Sequence, residues 1–267
     1  MLIQNKNLYT LIRQLATITL FVCTLASCLS RSPDNLKPLA DPSIITESLK
    51  NWLVYNRDYI DWDSKYTSFD EYGNKIDKGR FLSELTLGIY LPLRVQSEDS
   101  AIAYKLHKLN LKEQAELGDI IKNLAETQYH FYTMEGKPLP GFDFTDIRGN
   151  TYTAANSPGK AIVLNCWYIH CLNCVKEIPD LNNLVDEYGG KDVIFLGLAF
   201  DPLEDLQIFL KKMEFKYNIV AQKEKYLLDT LKIPGYPTHI LIGKDGKVAS
   251  VTNDLEVVKK FLKKTQE

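Results

Sequence analysis

Ala161-Ile162-Val163-Leu164-Asn165-Cys166-Trp167-Tyr168-Ile169-His170-Cys171-Leu172-Asn173-Cys174-Val175-Lys176-Glu177-Ile178-Pro179 changes its period midway. Ala161 to Trp167 is a short, nearly continuous apolar run, the pattern of a central strand covered on both faces. Beyond Cys171, the residues Val175, Ile178, Leu181, Leu184, Val185 and Tyr188 recur at helical spacing. Cys171 therefore opens a helix directly after a buried strand. A thiol in that place faces unpaired backbone N–H groups and the positive end of the helix dipole, which favour thiolate and can lower its pKa to roughly 3.5–7.5. Cys171 is the expected nucleophile. Cys174, one turn further in, can close a small disulfide ring and is more enclosed, as a resolving thiol should be.

Working outward, Val193 to Phe200 is a second buried run, and a helix to about Met213 follows Asp201-Pro202. A short strand from Tyr217 to Ala221 and a helix ending before Pro234 come next. Thr238 to Ile242 and Lys247 to Val251 read as strands joined through Gly243-Lys244-Asp245-Gly246, and Asp254 caps a last helix to Lys264. Upstream, Phe142 and Phe144 alternate with polar neighbours, Arg148-Gly149-Asn150 turns the chain, and Thr151 to Thr153 returns as the second arm of a hairpin. Strands alternating with helices and closing on a hairpin mean an α/β domain with a mixed central sheet.

The 267 residues, 45% of them hydrophobic, suffice for one large or two ordinary domains with a buried core. A net charge of −2, with no run of five or six basic residues, argues against nucleic acid as a partner. The N-terminus reads as an address. Lys6 and Arg13 precede an uncharged stretch from Gln14 to Ser30 that is too short to span a bilayer and has the build of a secretory signal. It ends in Leu25-Ala26-Ser27-Cys28, which resembles the lipobox of bacterial lipoproteins. Residues 1–27 are then a signal peptide, Cys28 is the lipidated residue, and 28–39, with Pro33 and Pro38, is a tether. Cys166, Cys171 and Cys174 are the cysteines left besides the anchor, in an exported setting where a close pair is a redox question before it is a metal question.

Residues 40–133 read as a mainly α-helical module. Ser43 is a plausible cap for a helix to about Ile60, Phe81 to Leu91 is an apolar helical segment stopped by Pro92, and Glu98 to about Glu126 carries Ile102, Leu106, Leu109, Ile121 and Leu124. The module has no cysteine and no metal-ligand spacing. Its aromatics Trp52, Tyr55, Tyr59 and Trp62 are expected in its core more than at an interface, and His107 and His130 are expected at a surface or interface. A fragment starting near Pro138 is expected to fold alone.

The segment from Asn165 to Pro179 resembles the N-F-W-x-x-W-C-x-x-C-x-x-E-x-P stretch of thioredoxin-like proteins of the membrane-anchored TlpA and ResA type. Phe142 to Gly149 looks like that family's leading hairpin, and Gly235-Tyr236-Pro237-Thr238 like its cis-proline loop. The resemblance covers about residues 138–265. It implies a thioredoxin fold preceded by the helical module, and thiol-disulfide oxidoreductase activity without a cofactor. Cys171 attacks a substrate disulfide and Cys174 releases the product. It further implies that Glu177 takes part in proton transfer at the thiols, that Pro237 is cis, and that Tyr236 and Thr238 present backbone to a substrate strand. Trp167 would pack beside the active-site turn and is counted with Tyr236 and Thr238 among the substrate-binding residues. The implied partners are disulfide-containing exported proteins and a membrane or periplasmic thiol electron donor, at a lipid-anchored, periplasm-facing position. Three residues depart from the pattern: His170 stands for an aromatic residue, Cys166 for phenylalanine, and Leu172-Asn173 for dipeptides that contain proline.

Two rival readings differ in class. A metal-binding or copper-delivery protein of this fold would use Cys171, Cys174 and His170 or His239 as ligands. Copper carriers of the fold space their cysteines C-x-x-x-C, however, and structural zinc wants a second pair of ligands. A binding protein would instead rely on its helical module. Haem attachment needs histidine where Val175 stands, and peroxiredoxins need threonine or serine where Tyr168 stands.

Overall fold

The computed structural model describes residues 36–97, 101–190 and 192–266. The signal peptide, Cys28 and the first part of the tether lie outside the described residues. In chain order the elements are α1 (Pro42–Ile45), α2 (Leu49–Tyr59), β1 (Thr67–Phe69), β2 (Lys75–Ile76), α3 (Lys78–Leu85), β3 (Tyr90–Arg94), β4 (Ala103–Lys108) and α4 (Leu111–Met134). Then come β5 (Asp143–Thr145), β6 (Thr151–Thr153), β7 (Ala161–Trp167), α5 (Leu172–Tyr188), β8 (Val193–Ala199), α6 (Leu203–Lys212) and β9 (Asn218–Val220). A π-helical turn (Tyr226–Thr230), β10 (Thr238–Ile242), β11 (Val248–Thr252) and α7 (Leu255–Thr265) complete the chain.

The C-terminal half is a five-stranded sheet in the order β11-β10-β7-β8-β9. β7, β8 and β9 are parallel, and β10 runs antiparallel to both β7 and β11. This is the thioredoxin arrangement, with β5–β6 as a separate leading hairpin. Because β7, β8 and β9 succeed one another in one direction across the sheet, right-handed crossovers put α5 and α6 on the same face. Leu181, Leu184 and Leu206 from these helices, with Val258 and Leu262 from α7, pack there on Ala161, Val163 and Trp167. Gly197 on β8 is needed at this packing layer. A Cβ there would lie 2.8 Å from Ile219 Cδ1 and 3.1 Å from Trp167 Nε1.

The opposite sheet face, Ile162, Leu164, Cys166, Leu196, Leu198 and Ile240, has no long helix of its own between β9 and β10. It is covered by the π-helical turn, by Phe144 of the hairpin and by Phe131, the last of these from α4. That helix runs 24 residues, about 36 Å at 1.5 Å per residue. Its first half buries Leu117, Ile121 and Ala125 in the module, where Gly118 crosses Gly88 so closely that a Cβ would sit 2.7 Å from the Gly88 carbonyl. Two turns later Phe131 is in the thioredoxin core and the His130 ring lies 2.7 Å from the Leu231 carbonyl. Past the helix, Gly136 donates to the Val248 carbonyl and Val248 donates to that of Lys137, adding residues 136–138 to the free edge of β11. The core of the C-terminal domain thus takes in the end of α4, ahead of the start expected at residue 138.

The module is not all helix. It holds a four-stranded sheet, β2-β1-β4-β3, against which Trp52, Tyr55, Phe81 and Leu85 pack. Of the expected aromatic cluster, Trp52 and Tyr55 are core, whereas Tyr59 is exposed and stacks on Tyr55. Three expected boundaries change. The helix expected from Ser43 breaks at Thr46, and the longer piece is capped by Ser48. Pro92 does not stop a helix; it lies within β3, an edge strand, where a missing N–H costs no ladder bond. Ala103–Lys108 forms β4, and the helix behind it starts only after its N-cap Asn110, whose side chain and that of Glu113 form a reciprocal capping box.

Module and redox domain also meet at polar contacts. The Asp63 carboxylate reaches Thr252 at the end of β11, and burial raises its pKa. Glu135 nearby is likewise raised by burial, with Lys78 working against the shift.

Phe131→Ala would open the face of β7 that the redox domain cannot cover itself. The expected loss is about 3–5 kcal/mol of stability, read as a lowered denaturant midpoint for the thioredoxin domain. A change under about 1 kcal/mol would show that this face does not depend on α4.

Candidate active site

The site begins where β7 ends. Strand β7 is buried along its whole length, so its C-terminal end is a fixed point from which the chain rises to the cysteines. Two hydrogen bonds set the rise: Ile169 N–H donates to Asp201 Oδ2 at 2.9 Å, and Cys171 N–H donates to the Tyr168 carbonyl at 3.1 Å. Asp201 follows β8, the strand beside β7, so neighbouring strand ends jointly hold the loop. In the sequence Asp201 stands out only as the residue before Pro202, ahead of a helix.

Cys171 is the N-cap of α5 and Cys174 its third residue, and the Cys174 N–H points at Cys171 Sγ, 3.1 Å away. The two are joined in a disulfide with their Cα atoms 5.2 Å apart. Cys171 is 6% exposed and Cys174 1%, the order expected of an attacking and a resolving sulfur. On reduction, the free N–H groups of the first turn stabilise negative charge at Cys171 before Cys174. Cys166 lies on the other face of β7, buried and unpaired, and burial alone pushes its thiol pKa far up. It is chemically silent in the folded protein.

The second wall is the loop Gly235–Thr238. Its Tyr236–Pro237 peptide is cis. Thr238 Oγ1 donates to the Gly235 carbonyl at 2.7 Å and accepts from Asn253 Nδ2 at 2.8 Å, and the same Asn253 amide donates to the Pro237 carbonyl. Asn253, which the sequence reading passed over, thus holds the cis-proline loop one residue beyond Thr252, where Asp63 of the module arrives. Tyr236, Tyr168 and Phe200 form an aromatic cluster with ring centroids 4.9–5.8 Å apart. Between the loop and α5 lies an open cleft of about 530 Å³ lined by Asn173, Lys176, Glu177, Tyr236, Pro237 and Asn253.

Most of the residues expected at the site are therefore brought together. Glu177, Tyr236 and Pro237 line the cleft with Asn173, which stands between the two cysteines, whereas Thr238 is completely buried, backbone included, and pairs with Cys166 in the sheet. Trp167 is a correction. Its side chain is fully buried against Phe209 and Phe215, so it supports the loop from below and has no surface to offer a substrate. His170 is exposed on the rim. Among the described residues no three or more His, Cys, Asp or Glu side chains are arranged to hold a metal ion.

Comparison with known proteins places this geometry. Residues 136–251 match the model of the AhpC/TSA family. The thiol-disulfide oxidoreductase ResA of Bacillus cereus is 34% identical over 114 residues, which are 42% of this chain and 66% of that protein. The ResA of Geobacillus kaustophilus is 27% identical over 117 residues, covering 43% and 67% of the two chains. The chain thus spans just under two thirds of the length of the first of these relatives. Among solved structures, the thioredoxin domain of a thiol-disulfide oxidoreductase from Bacteroides vulgatus is similar at 26% identity, with a TM-score of 0.43 over 48% of this chain and 97% of that one. Over residues 136–251 the chain is thus similar to the AhpC/TSA family and to the thiol-disulfide oxidoreductase ResA, on a thioredoxin-like fold.

Proposed function

We propose that the protein is a thiol-disulfide oxidoreductase that reduces disulfides in exported proteins through Cys171 and Cys174. One observation carries the reading: a disulfide closes the first turn of α5, and Asn173 between its two cysteines lines an open cleft shared with the cis-proline loop. The chemistry follows from that placement. Cys171 thiolate attacks a substrate disulfide, one substrate sulfur leaves as thiolate, and a mixed disulfide remains on Cys171. Cys174 gives up its proton and attacks Cys171, the second substrate sulfur leaves, and the protein is left as the disulfide described above. A thiol electron donor then returns the pair to the dithiol. The cleft beside Tyr236 and Pro237 gives an extended substrate segment backbone to pair with.

The direction is argued from charge. A strong disulfide oxidant is one whose reduced form is stabilised, largely by a low-pKa thiolate. Here Glu177 places a carboxylate one turn from Cys174, and a neighbouring negative charge disfavours thiolate. A dithiol so destabilised gives up its electrons readily.

The leader and Cys28 support lipid anchoring on the outer side of a bacterial cytoplasmic membrane or facing a periplasm. The module of residues 40–133 supplies geometry: it covers one face of β7 and steadies β11 next to Asn253.

Cys171→Ser should abolish disulfide reduction, and Cys174→Ser should trap mixed disulfides visible on non-reducing gels. Alkylation of the reduced native protein should label Cys171 first and Cys166 only after denaturation; normal turnover by Cys171→Ser would defeat the assignment. Mass spectrometry of the membrane fraction should show a mature chain that begins at an acylated Cys28, and Cys28→Ala should block that processing. An unmodified soluble protein cut elsewhere would count against the anchor.

A further inference from the structure

Beneath the disulfide the sheet is unexpectedly polar. Asn165 of β7 and His239 of β10 are direct cross-strand partners, both 0% exposed, on the face that α5 covers. Among the described residues neither Oδ1 nor Nδ2 of Asn165 and neither ring nitrogen of His239 has a hydrogen-bonding partner. Trp167 Nε1 and the Tyr217 hydroxyl on the same face are also unpartnered. A buried imidazole without a partner is costly. The group that approaches it is Glu177: Oε2 lies 3.3 Å from His239 Nε2, within ion-pair distance although not aligned as a hydrogen bond. The Glu177 side chain is 23% exposed and lines the cleft, so the pair reaches from a closed interior to solvent.

We propose that His239 is a positioning residue that acts through Glu177, holding or releasing a proton so that the Glu177 carboxylate can take the proton of Cys174 in the resolving step. The proposal rests on exchange through Cys171 and Cys174. In that step the Cys174 S–H bond breaks and its proton passes to the Glu177 carboxylate. The Cys174 sulfur forms a bond to Cys171 Sγ with its electron pair, and the Cys171–substrate S–S bond breaks with its pair leaving on the substrate sulfur. The substrate thiolate is then protonated, so the substrate gains two electrons and the protein becomes the disulfide. A charged imidazole 3.3 Å from the carboxylate would favour its ionised form, the form that accepts a proton. Neutral His239 can take that proton onward at Nε2.

The other groups that face the pair are few. Cys174 and Lys176 come from α5, with Lys176 in the same cleft. Buried Tyr217 feels the Glu177 charge, although burial is the larger reason its pKa is raised. Across the sheet His239 faces Asn165 and Thr252, neither of which titrates, and beyond Thr252 stand Asp63 and the α7 cap Asp254.

The test uses reduced full-length protein mixed rapidly with an aromatic disulfide that liberates thionitrobenzoate. Attack by Cys171 releases one equivalent and resolution by Cys174 releases the second. In the wild type the rate of the second phase should rise with pH through an inflection set by the Glu177–His239 pair. His239→Gln should move that inflection upward by about one pH unit or more, because the carboxylate loses the cation that keeps it ionised. Glu177→Gln should remove the inflection, and adding His239→Gln to it should change nothing further. An unmoved inflection, or the same shift in the Glu177→Gln background, overturns the proposal, even if the melting temperature falls. Should His239→Gln not fold, the imidazole titration followed by NMR decides. It should fall by about one pH unit or more in Glu177→Gln, and an unchanged titration overturns the proposal. No release of thionitrobenzoate from the wild type would instead overturn the exchange reading on which it rests.

Discussion

Strand β7 has to be covered on both faces, and the rest of the molecule follows from how that is done. All seven of its residues are buried, so the loop at its end is held to a fixed point. One face is closed by α5 and α6, as two right-handed connections require, and by the C-terminal α7. The other face is closed by a π-helical turn, a hairpin and Phe131 at the end of a helix that begins in another domain. Covering the second face from outside makes the N-terminal module a structural part of the redox domain. The same helix buries Leu117 and Ile121 in one core and Phe131 in the other, so the two units cannot move independently without uncovering one of them.

The site shows how a small chemical difference is drawn from a near-symmetrical pair of sulfurs. Cys171 and Cys174 are three residues apart, yet the first stands at the cap, where N–H groups of the helix turn toward it, and the second sits a turn inward and is more deeply buried. On the proposed function negative charge is favoured at one, and Glu177 is the proposed proton acceptor for the other. Cys166 shares the strand but sits on its other face among Leu164, Leu198 and Ile240, which is why a third thiol so near the pair does not compete with it.

What could be read from the sequence was what short-range pattern encodes. The apolar runs of β7 and β8, the helix after Cys171, the β10–β11 hairpin and the Asp254 cap all depend on neighbours within a few residues, and each appears within a residue or two of its expected place. Residues 81–109 went wrong because apolar positions there fit a helix as well as a strand. Only the edge position of β3 explains Pro92, and only the Asn110–Glu113 capping box marks where the helix starts. That box was visible in the sequence as a polar residue followed three later by glutamate. Asp201, Asn253 and the His239–Glu177 approach were not visible, since each joins residues far apart in the chain. Phe131 likewise looked like any helix aromatic until the sheet face beneath it was known.

The reduction potential of the Cys171–Cys174 couple, measured against dithiol buffers across pH, bears most directly on thiol-disulfide exchange driven from a proton-poised dithiol. A reversible two-electron couple nearer to about −270 mV than to about −120 mV, falling about 59 mV per pH unit while two protons accompany two electrons, is the expected result. A pair that does not equilibrate with dithiols, or one with a strongly oxidising potential near −120 mV, would contradict the reading of the protein as a reductant.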